Sequence, residues 1–188
     1  MKLRSLYLLR HGQTVWNLEG RLQGQLDSEL TDLGRHQAQS QATILNLLSL
    51  PPDVGYHVSP LGRTRHTAKL ALGDVPATFD ARLMEIGAGD WEGLLRWEIL
   101  PGSEADEKLP FDMFADAPGG EGLIGLEARI RAFLSDLDAP AVIVSHGVAI
   151  SMMRGLALGL DRQGMAALGN PQGVVIEITD GKEFIHEA

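Results

Sequence analysis

The sequence predicts an α/β fold, a three-layer α/β/α sandwich built on a mostly parallel central sheet. Three observations carry this expectation. Short apolar runs lack clean alternation, as in strands covered on both faces. Apolar residues at helical spacing fill the intervals between these runs. Several runs end in loops rich in His, Ser, Gly and Pro, the position where open α/β sheets hold their ligands.

Leu6 to Leu9 is the first strand and ends at Arg10-His11-Gly12. The basic and apolar start of the chain also resembles a signal peptide, but Arg10 and His11 interrupt it and no small-residue cleavage site follows. Thr31 caps a helix through Ala38, Ala42, Leu45 and Leu48 that stops at Pro51-Pro52. Gly55 to Val58 is a weaker strand. Ser59-Pro60 after it reads as a cap followed by proline at the first helical position. Leu126, Ile130, Phe133 and Leu137 mark a helix over 123–137, stopped by Pro140. Ala141 to Val144 is a β-branched strand that ends at Ser145-His146-Gly147, and a helix through Met152, Met153 and Leu156 follows at once. Gly173 to Thr179 turns at Asp180-Gly181 into a hairpin partner at 183–185. One domain over 1–188 is expected, with a small lid or insert at about 94–122.

The composition excludes several classes. With 44% hydrophobic residues the chain can bury a core, and no apolar stretch is long enough to span a bilayer. There is no cysteine, hence no disulfide framework and no thiolate chemistry, which fits a cytoplasmic location. The formal charge of −9 argues against a nucleic-acid footprint. No Asp/His cluster at ligand spacing points to a catalytic metal, and no cofactor is implied. Oligomeric state is open, a homodimer included.

Four places carry candidate chemistry. His11 stands at a strand end beside Arg10, whose planar fork suits phosphate. Ser145-His146-Gly147 repeats the arrangement, with the first N–H groups of the next helix available to an anion. Arg63 lies in the first turn of the helix expected from Ser59-Pro60, whereas Arg65 reads as a solvated surface residue. Glu85 precedes a glycine-rich bend with little charge near it; beside a phosphate dianion its carboxyl would keep a proton to give to a leaving oxygen. Taken singly, each is equally a capping histidine, a surface arginine or a loop glutamate. Two strand-end His-Gly pairs are hard to explain by packing.

These residues belong to a longer pattern. It runs through Leu8 to Thr14, Trp16-Asn17, Gly20 to Gly24, Leu30-Thr31, Gly34, Ser59-Pro60-Leu61, Arg63 and Thr67-Ala68. It continues with Glu85, Gly89, Trp91-Glu92-Gly93, Gly119-Gly120-Glu121 and Ser145-His146-Gly147. In that order and spacing the chain resembles the histidine phosphatase superfamily, the phosphoglycerate mutase-like group, over nearly its whole length. The resemblance implies a phosphohistidine mechanism: His11 as nucleophile, Glu85 as proton donor, and Arg10, Arg63, Asn17 and His146 around the phosphate. It implies substrate contacts at Gln23, Gly24 and Glu121. Glu29, Thr64 and Gly122 depart from the family pattern, and two of them flank the implied substrate contacts.

The resemblance leaves phosphatase, mutase or an inactive phosphate-binding module. Glu85 and His146 are 61 residues apart, fewer than in the mutases of the family, and no long C-terminal extension is present, so hydrolysis of a small phosphorylated metabolite is expected. An inactive module would have lost His11, Glu85 or His146. Glu104, Asp106, Glu107 and Asp112 against Lys108 in the expected lid argue against highly anionic bisphosphates.

Overall fold

The computed structural model describes residues 4–102 and 111–188. Its elements in chain order are β1 (Leu6–Arg10), α1 (Val15–Glu19), α2 (Asp32–Leu47), β2 (Gly55–Val58), α3 (Gly62–Leu72), β3 (Thr78–Phe79) and α4 (Arg96–Ile99). They continue with α5 (Gly122–Asp136), β4 (Ala141–Ser145), α6 (Gly147–Leu158), α7 (Arg162–Ala167), β5 (Val175–Thr179) and β6 (Lys182–His186). Short 3-10 turns lie at Ala81–Leu83, Gly89–Trp91 and Phe111–Ala115.

The strands form one sheet in the order β3-β2-β4-β1-β5-β6. The pairs β1–β4, β2–β4 and β2–β3 are parallel, and β5 and β6 add an antiparallel edge. Apolar runs without alternation are explained by two cores. Leu6, Leu8, Ala141, Ile143, Ile176 and Ile178 face one core with Ile130 and Phe133 of α5 and Ile150 and Met153 of α6. Tyr7, Leu9, Val142, Val144 and Val175 face the other with Ile44 of α2 and Ala68 and Ala71 of α3. Successive strand residues point to opposite faces, so both faces must be apolar when both are covered.

One expectation is corrected, and several short elements add to the rest. The helix expected from Ser59-Pro60 starts at Gly62 with Leu61 as its uncapped N-terminal residue. Ser59 is engaged elsewhere, and Asp27 takes the helix start instead: its carboxylate accepts from the backbone N–H of Gly62 (2.6 Å) and Arg63 (3.2 Å). The helices α1, α4 and α7 and the short β3 were not anticipated, being too brief for periodicity to register. Within the segment expected as a lid or insert, Phe111 and Phe114 are buried in the first core. Glu104, Asp106, Glu107 and Lys108 lie outside the described residues.

Candidate active site

The sheet itself assembles the site. Register places Arg10 opposite Ser145 on adjacent parallel strands, and the His11 N–H donates to the Ser145 carbonyl (3.0 Å). On the other side of β4, the Ser59 N–H donates to Val144 (3.0 Å). The carboxyl ends of β1, β4 and β2 therefore deliver His11, His146 and Ser59 side by side. The imidazoles of His11 and His146 lie 5.3 Å apart between centroids.

His11 is 3% exposed. Its Nδ1 faces the carbonyl of Gly12 (2.8 Å), and its Nε2 accepts from Nε of Arg63 (3.3 Å). A carbonyl only accepts and a guanidinium only donates, so these partners place the ring proton on Nδ1 and the lone pair on Nε2. Burial, then the charges of Arg63 and Arg10, hold the imidazole well below its ordinary pKa, against the opposing pull of the Gly12 carbonyl. The backbone here is pinned as well. The Gly12 N–H donates to Thr67 Oγ1 (3.1 Å), and Gln172 donates to the His11 carbonyl (2.9 Å). Gly12 also lies against α2, where a Cβ would fall 2.1 Å from the carbonyl oxygen of Gly34.

His146 is fully buried, with Nε2 and Ser59 Oγ 2.7 Å apart and Nδ1 without a hydrogen-bond partner. Burial lowers its pKa well below the usual histidine value, helped by Arg63, His11, Arg129 and Arg10. Arg63 is spent on this neighbourhood. Besides His11, it donates to the carbonyls of Leu26 (2.7 Å) and Gly24 (2.7 Å) and pairs with Asp27 (2.9 Å). Arg10 donates through Nη1 to the carbonyl of Asn170 (2.7 Å), while its buried Nε has no partner. Burial lowers its pKa; Glu85 opposes this, and Arg96 and Arg63 add to it.

Glu85 closes the arrangement. Its carboxylate accepts from the backbone N–H of Val148 (3.1 Å) and Ala149 (3.0 Å) at the start of α6, and from Ile86 (3.0 Å). The N–H groups expected to face an anion after His146-Gly147 thus face this side chain.

A cavity of about 370 Å³ opens on these groups. Arg10, His11, Asn17, Gln23, Gly24, Arg63 and Glu85 line it, as seven of the nine residues singled out from sequence. Asn17 turns its Oδ1 to the Thr14 N–H (3.1 Å), and Gln23 has a buried Oε1 with no partner. The other two stand behind the wall. His146 packs against His11, and Glu121 is bound to Arg129 (2.6 Å) and to the Gly87 N–H (2.8 Å), so the expected substrate contact at Glu121 falls outside the lining. Sequence reasoning missed Arg21, Arg96, Asn170 and Gln172, all in the lining. Arg21 stood inside the quoted pattern; the other three sit in segments with no periodicity to mark them. Among the described residues, no group of three or more His, Cys, Asp or Glu is placed to hold a metal ion, and no helix is long and apolar enough to cross a membrane.

An imidazole whose Nε2 lone pair faces a guanidinium, one buried and one half-buried arginine and a carboxyl at one strand-end cavity are the equipment of phosphoryl chemistry. Residues 6–187 match the model of the histidine phosphatase superfamily (branch 1), and the chain belongs to that superfamily. It is 35% identical to a glucosyl-3-phosphoglycerate phosphatase of Mycolicibacterium vanbaalenii, over 90% of this chain and 80% of the relative. It is 36% identical to a protein of Salmonella choleraesuis named "Probable phosphoglycerate mutase GpmB", over 82% of this chain and 75% of the relative. Among solved structures, a mycobacterial glucosyl-3-phosphoglycerate phosphatase complexed with VO3 superposes with a TM-score of 0.79 at 30% identity, over 98% of both chains.

Proposed function

We propose that this chain is a cytoplasmic phosphomonoester hydrolase that needs no metal and acts on a small phosphorylated metabolite through a phosphohistidine at His11. The observation that carries this reading is the His11 ring itself: Nδ1 is held by the Gly12 carbonyl, and the Nε2 lone pair meets Arg63 in the cavity. In the first step that lone pair attacks phosphorus, the bond from phosphorus to the ester oxygen breaks, and Glu85 gives its proton to the departing oxygen. Arg10 and Arg63 bear the charge on the other phosphoryl oxygens, with His146 behind them and Asn17 at the side. In the second step water attacks phosphorus and loses a proton to Glu85, and the bond from phosphorus to Nε2 breaks. The cavity exceeds the needs of a phosphoryl group and admits a small metabolite.

The test is a denaturing quench after brief exposure to labelled substrate. Label should appear on His11 as an acid-labile, base-stable adduct, and His11→Ala should lose both adduct and turnover. Label on serine or aspartate would remove His11 from its role. Likeness to a mutase-named relative supports a second reading, phosphoryl transfer between positions of one substrate. With 3-phosphoglycerate and a bisphosphoglycerate primer, phosphate release should outrun formation of 2-phosphoglycerate. The reverse order favours the mutase.

A further inference from the structure

Glu85 lies on a stretch with no sheet or helix to hold it, between the 3-10 turns Ala81–Leu83 and Gly89–Trp91. Backbone groups in such a stretch must find other partners. They find Arg129, on α5. Its Nη1 donates to the carbonyls of Arg82 (2.6 Å) and Met84 (2.7 Å), and its Nη2 to the carbonyl of Glu85 (2.9 Å). The other edge of the same guanidinium grips Glu121, through Nη2 (2.6 Å) and Nε (3.0 Å). Glu121 in turn accepts the N–H of Gly87 (2.8 Å). The main chain is therefore fastened on both sides of Glu85 by one ion pair. Arg129 and Glu121 are mostly buried, with side chains 16% and 24% exposed, and neither lines the cavity.

We propose that Arg129, with Glu121, is a positioning residue that holds Glu85 where it can pass its proton to the leaving oxygen. This rests on the reading of Glu85 as the proton donor. The chemistry calls for such a hold. Proton transfer works at heavy-atom separations of about 2.6–3.2 Å, and a displacement of about 1 Å can slow a reaction roughly 10²-fold. Only a planar fork can reach three carbonyls and a carboxylate together; the single ammonium of lysine cannot.

A stabilising role alone and a positioning role are separated by the leaving group. An alkoxide from glycerol phosphate needs a proton as it departs, whereas nitrophenolate from 4-nitrophenyl phosphate barely does. The ratio of kcat/KM for these two esters does not depend on how much of a preparation is folded. Glu85→Gln should lower the alkyl-to-aryl ratio by about 10²–10⁴-fold, the span of general acid–base catalysis. Arg129→Met and Arg129→Lys should lower it by about 10-fold or more, and Glu121→Gln by less in the same direction. If Arg129→Met does not accumulate as folded protein, Arg129→Lys and Glu121→Gln decide. An unchanged ratio in the Arg129 and Glu121 variants, beside a lowered one in Glu85→Gln, overturns the positioning role. An unchanged ratio in Glu85→Gln overturns the reading of Glu85, and the positioning role with it.

Discussion

Burial and the charge of Arg63 keep both His11 and His146 neutral, and that has a consequence for stability. A histidine whose pKa is lowered by folding binds fewer protons in the folded chain than in the unfolded one, between its folded value and the ordinary value of about 6.5. Stability then falls as pH drops through that window, by up to about 1.4 kcal/mol per pH unit for each such residue, and is untouched by these groups above it. Urea unfolding at pH 7.5 and 5.5 should show the loss, and His146→Gln should flatten the dependence. A slope that ignores the substitution contradicts the assignment of a neutral, buried His146. The same neutrality serves the chemistry, since a protonated His11 has no lone pair to offer phosphorus.

At the level of elements, the start of α3 decides whether Arg63 stays in place. Asp27 caps the helix through two backbone N–H groups and also pairs with the Arg63 guanidinium. Asp27→Ala should therefore lose about 1 kcal/mol from the cap alone, and thermal denaturation should report it. It should also weaken phosphate binding, because Arg63 would lose its one carboxylate partner and keep only carbonyls and the His11 ring; unchanged inhibition by inorganic phosphate would show that Asp27 serves the helix and not the site. Sequence patterns located the longer strands and helices well, because Leu6–Leu9 and Ala141–Val144 are continuous apolar runs and the α5 stripe carries helical periodicity. They misplaced this helix start for a physical reason. Ser59 has the chemistry of a cap, but its hydroxyl meets His146 and its carbonyl accepts from Thr64 (2.9 Å). Which of two short polar side chains wins a helix end depends on a loop 35 residues away in sequence, and local pattern is blind to that. Gly34 was visible only as a piece of the family pattern; its need is steric, since a Cβ there would lie 2.0 Å from the Gln13 carbonyl oxygen.

Over the whole molecule, a chain of net charge −9 gathers Arg10, Arg21, Arg63 and Arg96 around one cavity where, among the described residues, Glu85 is the single carboxylate of the lining. The sheet explains how. Parallel pairing of β1, β4 and β2 brings three strand ends together; Arg10 ends β1, Arg63 lies in the first turn of α3, Arg96 opens α4 and Arg21 follows α1. His11, Arg10 and Arg63 were legible because their motifs sit at strand or helix ends, and Glu85 because a glycine-rich bend follows it. Arg96, Asn170 and Gln172 were not, because only the closed fold brings α4 and the loop before β5 to the same wall. This concentration of guanidiniums bears on the metal question. Phosphoryl transfer requires positive charge on the non-bridging oxygens, and many enzymes take it from divalent ions. Here Arg10 and Arg63, both fixed by hydrogen bonds and half-buried and buried respectively, stand where such ions would otherwise act, so their fields are less screened than at the surface. Hydrolysis of an aryl phosphate should therefore persist at full rate in excess chelator, and Arg63→Gln should slow it severely under the same conditions. Loss of activity on chelation, with recovery on adding a divalent ion, would mean that the guanidiniums do not suffice and that a metal completes the site.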